Sequence, residues 1–242
     1  MLSLTRIRRS FALRLAKHTT VDLLGFVLAS TKVDLCHAPL WLQRLGTGSL
    51  APSHKLKQLK KFITSLEVVP GDIVECGTYR GGTTAIMALQ LKKLSSTKRV
   101  HSFDSFQGYP QPTAEDSDNS TKNFIHLRVF ACTSYKLVSN KLKRLGIAEY
   151  VHLYKGFFRN SLHSLRAGSL SLVFLDCSLY QSYKDCLCLL YPKVTSGGIV
   201  IFDDYGSRAN PGAARAVDEF FADKSESPQK IGFFWVVKKA LI

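Results

Sequence analysis

Five acidic side chains stand where short apolar runs end. They are Glu75 in "DIVEC", Asp104 in "RVHSFD", Asp176 in "LSLVFLD", and Asp203 with Asp204 in "GGIVIFDD". Carboxylates are costly to bury without a partner. A set of them gathered at one edge calls for a cationic ligand or a metal. Glu75 runs into a glycine turn, Gly77, Gly81 and Gly82, and then into a stretch of helical character. Glycine there lets backbone approach a ligand and lets helix pack on strand. Asp104 follows Gly82 by roughly the twenty residues at which an acid binds ribose hydroxyls in nucleotide-type sites. Both features suit an adenosine ligand.

Electrostatics separates two such ligands. A dinucleotide sets a pyrophosphate at the helix start, where Glu75 would meet it with like charge. Its spacing, G-x-G-x-x-G, is not what stands here, which disfavours a nicotinamide-dependent oxidoreductase. S-Adenosylmethionine brings an ammonium and a sulfonium that an acid at the strand end attracts. Thr83 or the turn amides can take its carboxylate. Tyr79 and Arg80 either reach that carboxylate or cover the helix start. Phe157 and Phe158, after Gly156, either sandwich adenine or belong to the core.

Asp176 and the Asp203–Asp204 pair are separated by the length of one strand–helix–strand crossover. Were their strands neighbours, the ends would lie ~4.8 Å apart. Three hard oxygen donors would suit Mg2+. Such an ion holds a substrate diol, lowers the pKa of one hydroxyl and readies it to attack the sulfonium methyl in line. Taken singly, each aspartate is as well explained by a helix cap or an ion pair. His126, beyond the polar loop "GYPQPTAEDSDNSTKN", is either a catalytic base near neutral pH or a surface residue of that loop. His101 and His152 lie inside strand-like runs and read as structural.

These residues need a scaffold, and the texture from Gly71 onward supplies one. Apolar runs alternate with helical stretches such as "TTAIMALQLKKL", "SYKLVSNKLKRLG", "SYKDCLCLLYPKV" and "GAARAVDEFFADK". That alternation predicts an α/β fold, a mostly parallel sheet covered on both faces. "IGFFWVVKK" reads as one last strand. The expected organisation is a basic helical extension over residues 1–55 and a Rossmann-like domain over 56–242.

The charge balance is strongly basic, 33 lysines and arginines against 18 acids, a formal +15. Such a surplus favours anionic partners, yet no nucleic-acid-binding signature accompanies it. None of the six cysteines forms a C-x-x-C pair, which suits a reducing, cytoplasmic setting. "MLSLTRIRRSFALRLAKH" carries apolar residues at helical spacing and no acid. It reads as a packed or interfacial helix, with residues 1–20 against an anionic membrane, or as an organellar targeting segment. A non-catalytic module that binds an anionic partner through this stretch is the alternative from another class.

"VECGTYRGGTT", "SFDSFQGYPQP", "YKGFF", "LVFLDCSLYQSYKDCLCLLYPKVTSGGIVIFDDYG" and "ARAVDEFF" together resemble the macrocin and mycinamicin type O-methyltransferases, in the same order. The resemblance runs from about Leu56 to Phe221. It implies a seven-stranded class I methyltransferase fold and Mg2+-assisted methyl transfer from S-adenosylmethionine to a sugar hydroxyl. The donor-site positions it implies are Glu75 to Thr83, including Gly77, Tyr79, Arg80, Gly81 and Gly82. They continue with Asp104, Ser105, Phe106, Gly156, Phe157 and Asp176. Its metal acids fall on Asp176, Asp203 and Asp204, with Asp176 and His126 as the catalytic candidates. The family commonly reads L-D-G-D-L-Y-E-S-T where this chain has "LDCSLYQSY", so Ser178 and Gln181 replace two acids. Expected partners are a small-molecule or glycan acceptor and a second copy of the chain in a homo-oligomer, with no specific nucleic acid.

Overall fold

The computed structural model describes residues 39–116 and 130–240. His126 and the basic stretch 1–20 lie outside the described residues. Five short strands form the parallel part of a single sheet: β1 (Asp72–Cys76), β2 (Val100–Asp104), β3 (Val151–Lys155), β4 (Leu170–Leu175) and β5 (Val194–Phe202). Two more, β6 (Gln229–Ile231) and β7 (Phe234–Lys238), complete it in the order β3-β2-β1-β4-β5-β7-β6. β7 runs antiparallel to β5, and β6 antiparallel to β7. The mostly parallel Rossmann-like sheet expected from the alternating pattern is therefore present. The single final strand read from "IGFFWVVKK" is instead a hairpin. Gly232, at φ +61°, turns the chain between β6 and β7, a conformation open to glycine at little cost.

Every residue of β4 is buried, as a central strand covered on both faces requires. On one face lie α1 (Leu40–Thr47), α2 (Ser53–Ser65), α3 (Gly82–Lys93) and α4 (Tyr135–Arg144). Their core includes Leu59, Ile63, Met87, Leu91, Val138 and Leu142. Beyond the short α5 (Phe158–Ser161), the other face carries α6 (Tyr180–Leu190) and α7 (Pro211–Phe221). There Tyr183, Leu187, Ala213, Ala216 and Val217 close a second core. Each fully buried aliphatic side chain contributes about 1.5–3 kcal/mol. No helix among the described residues is long and apolar enough to cross a membrane.

α3 is buried nearly all round, from Thr84 to Leu91. A helix apolar on every side needs cover on every side, and α1 and α2 provide it on the face turned from the sheet. Gly82 makes this packing feasible: a Cβ there would lie 2.4 Å from the Cα of Ser49. Residues 39–55, counted with the extension in the sequence reading, thus pack as part of the sheet domain. The boundary at residue 55 falls inside α2.

Candidate functional site

Three adjacent strands end in step. Cys76 on β1 pairs with Leu175 on β4, and Leu175 with Phe202 on β5. The next residues leave the sheet together. Asp176 donates its N–H to the Cys76 carbonyl and Asp203 donates its own to the Leu175 carbonyl, each at 2.9 Å. Gly77 must be glycine here, because a Cβ would fall 1.9 Å from the Asp176 carbonyl oxygen. Beyond these ends opens a cleft of ≈ 560 Å³, within the range of small-molecule sites.

One wall of the cleft is the glycine turn with Tyr79, Arg80, Gly82 and Thr83, together with Asp104 and Ser105. The opposite wall is Asp176 to Leu179, Asp203, Asp204 and Asn210. Gly48 to Pro52 and Lys55 close a third side, and Tyr109, Phe130, Phe157 and Phe158 add aromatic rings. Of the expected donor-site residues, Gly77, Tyr79, Arg80, Gly82, Thr83, Asp104, Ser105, Phe157 and Asp176 line this one cleft. Four do not. Glu75 lies wholly buried beneath it, and Phe106 is buried in the core. Gly81, at φ +73°, precedes α3 and packs toward Val138, while Gly156, at φ +141°, packs toward the Ser161 side chain.

The Asp104 carboxylate organises its wall. One oxygen accepts from the Tyr79 N–H at 2.7 Å and the other from the Phe106 N–H at 2.6 Å. Both donors sit in left-handed backbone, at φ 50° and 54°, so the carboxylate holds two strained turns in place. Burial raises the Asp104 pKa, and the backbone N–H bonds hold it partly down. Under the floor, one oxygen of Glu75 accepts from the Thr84 and Ser102 hydroxyls, while Oε1 is buried with no partner. Burial pushes the Glu75 carboxyl up to about 7; the two hydroxyls oppose this and Asp104 adds to it.

The acidic wall is held differently. Asp203 accepts from the Lys55 ammonium at 2.8 Å. Asp204 accepts from the Ser178 N–H at 2.9 Å, the Tyr183 hydroxyl at 3.0 Å and the Asn210 amide at 2.5 Å. Burial raises Asp204 to about 6 despite those bonds, with Asp203 raising it further. Asp176 is held well above the usual carboxylate range by burial, then by Asp203 and Asp204, with Lys55 opposing. The three aspartates share a rim as expected. Yet among the described residues no group of three or more His, Cys, Asp or Glu side chains is arranged to hold a metal ion. The reason is in the partners: Asp204 turns inward to three donors and Asp203 outward to Lys55.

His101 is buried, bonded to the Tyr154 hydroxyl at 2.9 Å and Asp72 at 3.0 Å, which places it in the scaffold. Three features of the cleft escaped the sequence reading. Lys55 is one. A second is Tyr109, whose hydroxyl meets Ser178 Oγ at 2.8 Å. Ser178 itself stands at φ 60°, so a strained turn presents it to the cleft. The third is the segment Gly48–Pro52. Tyr109 stands inside the quoted motif "SFDSFQGYPQP", the one signal that could have found it.

Comparison with known proteins agrees with this geometry. The profile of the macrocin-O-methyltransferase (TylF) family matches residues 46–231. Demethyldecarbamoylnovobiocin O-methyltransferase of Streptomyces niveus is 34% identical over 175 residues, 69% of this chain and 66% of that protein. Mycinamicin III 3''-O-methyltransferase of Micromonospora griseorubida is 29% identical over 177 residues, 69% of this chain and 68% of that protein. This chain thus spans about two thirds of the length of each of these relatives. Among solved structures, the O-methyltransferase NovP superposes with a TM-score of 0.70 at 26% identity, covering 93% of this chain and 100% of NovP. The calicheamicin methyltransferase CalS11 shares the fold, with a TM-score of 0.66 at 18% identity and 91% of each chain covered. The chain belongs to the macrocin-O-methyltransferase family.

Proposed function

We propose that this chain transfers the methyl group of S-adenosylmethionine to a hydroxyl of a sugar or other polyol, in a small molecule or a glycan, with Mg2+ assisting. The observation that carries the reading is one cleft holding Asp104 on one wall and Asp176, Asp203 and Asp204 on the other. An acid placed for ribose hydroxyls and a rim rich in negative charge suit a sulfonium nucleoside. The named relatives are O-methyltransferases of demethyldecarbamoylnovobiocin and of the 3'' position of mycinamicin III, which supports a small-molecule acceptor.

The donor's ribose would lie against Asp104, its adenine near Phe157 and Phe158, and its amino-acid end toward Tyr79, Arg80 and Thr83. The rim passes a test for a cation, because the Lys55 ammonium already sits on Asp203. Asp176 and Asp203 would hold Mg2+, with Asp204 behind them. Mg2+ commonly takes only one or two carboxylates and keeps waters, so a complete protein cage is not required. The ion would act as a Lewis acid on an acceptor hydroxyl. Asp176 would face the attacking oxygen and take the hydroxyl proton as the oxygen–carbon bond forms and the sulfur–carbon bond breaks. Tyr109, Phe130 and Phe157 exclude water, while the Tyr109–Ser178 pair gives hydroxyls that orient the acceptor.

Titration calorimetry with S-adenosylmethionine is the direct test. Saturable binding in the micromolar range is expected; no heat at several hundred micromolar donor would remove the proposal.

A further inference from the structure

Resting on the reading of the rim as a divalent-ion site, we propose that Lys55 is a tethered cation that occupies this rim until a divalent ion displaces it. The side chains of Lys55 and Asp203 are each 24% exposed and bridge 148 residues of chain. Two basic side chains line the described cleft. Arg80 is turned to the Cys132 carbonyl at 2.9 Å, and Lys55 is the one on the acidic wall.

The base of Lys55 is fixed and its tip is not. Leu56, Leu59 and Ile63 are each 1% exposed and seat α2 on the sheet. Gln58 accepts from the Phe233 N–H at 2.8 Å and donates to the Ile231 carbonyl, which ties the same helix to the β6–β7 turn. The ammonium is carried on a flexible four-carbon stem. It lies 5.3 Å from the centre of the buried Phe234 ring, within cation–π range. Lys55 can therefore leave Asp203 by side-chain rotation alone, without moving the helix.

Its presence answers a physical need. Three carboxylates share one water-poor wall, and burying like charges together without a counter-charge is costly. Lys55 supplies that counter-charge from within the chain. A divalent ion at Asp176 and Asp203 would meet the ammonium at close range and be repelled by it. Ion binding and the Lys55–Asp203 pair are thus mutually exclusive, and the affinity for the ion is lowered by the strength of the pair.

Titration of Mg2+ alone into the full chain, by calorimetry without donor or acceptor, tests this. Lys55→Met keeps the stem and removes the charge. It is expected to bind Mg2+ roughly tenfold more tightly than the unaltered protein, and Lys55→Arg no more tightly. In chelator Lys55→Met should melt below the unaltered protein, and Mg2+ should raise its Tm by more. Equal or weaker Mg2+ binding by Lys55→Met would overturn the proposal and leave Lys55 as a brace for Asp203. Failure of both proteins to bind Mg2+ would overturn it together with the metal assistance; donor calorimetry on the same samples would show whether the methyl-transfer reading stands.

Discussion

Glu75 shows how much one side chain beneath a site can set. It opens the motif that first pointed to a positively charged ligand, yet it makes no wall of the cleft. Its carboxyl is raised from 4.5 to about 7, chiefly because no solvent reaches it. A carboxyl raised on folding binds its proton more tightly in the native state, so its contribution is favourable below the unfolded pKa and is lost as pH rises through the folded one. Between pH 4.5 and about 7 the folded chain should lose roughly 3 kcal/mol from this residue. Glu75→Gln removes the titration while keeping the shape. Urea unfolding at pH 5 and pH 8 should show the variant close to the parent at the lower pH and more stable by about that amount at the higher. Asp104, Asp176 and Asp204 also titrate upward of normal; because Asp104 raises Glu75 and Glu75 raises Asp176, removing the Glu75 charge also relieves its acidic neighbours, an effect of the same sign at the higher pH. Sequence could place Glu75 at a strand end; it could not show that Thr84 and Ser102 hold it under the floor. Lys55 was less legible still. In "HKLKQLKK" it looks like any lysine on a solvated helix face, and only the folded chain shows Asp203 within reach.

The elements were easier to read than their contacts. Near-continuous apolar runs that stop at an acid are what a parallel strand under two helical layers requires, and the strand ends fell where the acids stand. The helices over 82–93, 135–144, 180–190 and 211–221 follow the stretches that the pattern marked. The β6–β7 hairpin was missed because "IGFFWVVKK" is apolar on both sides of Gly232, so hydrophobic texture gave no sign of a break. Residues 39–55 were set apart because the family resemblance begins at about Leu56, while their role is decided by what they cover. α1 covers α3, and the segment that follows it, with Gly48, Leu50, Ala51 and Pro52, forms a wall of the cleft. Gly82 is where these functions meet. Gly82→Ala places a methyl 2.4 Å from Ser49 Cα, backbone that cannot simply rotate away. Overpacking of this kind costs about 1–3 kcal/mol. The variant is expected to melt several degrees lower, and its donor affinity to fall, since Gly48–Pro52 must move outward. An unchanged Tm in differential scanning calorimetry would show that this segment does not pack against α3 as described.

At the scale of the whole molecule, the cleft is a junction of three parts of the chain. Tyr79, Thr83 and Asp104 come from the β1–β2 half, Asp176 and Asp203 from the β4–β5 half, and Gly48–Pro52 with Lys55 from the chain ahead of the sheet. The two hydrophobic cores lie on opposite faces of that sheet. A ligand seated in the cleft would tie all three regions together, so its binding energy becomes stability of the fold as a whole. At a donor concentration one hundred times its Kd the gain is about 2.7 kcal/mol, or a Tm rise of roughly 5–10 °C for a chain of this size. Hydrogen exchange should show where the gain is felt. Protection is expected at residues 48–55, 77–83 and 104–109, and at 176–179, regions far apart in sequence that meet around the cleft. Two of these walls should respond even if the acceptor is absent, because adenosine and the amino-acid end of the donor face the β1–β2 side and the preceding segment. Protection confined to the β1–β2 loops, with residues 48–55 exchanging as before, would mean that the segment ahead of the sheet lines the cleft without taking part in holding the donor, and that its walls close only when the acceptor arrives.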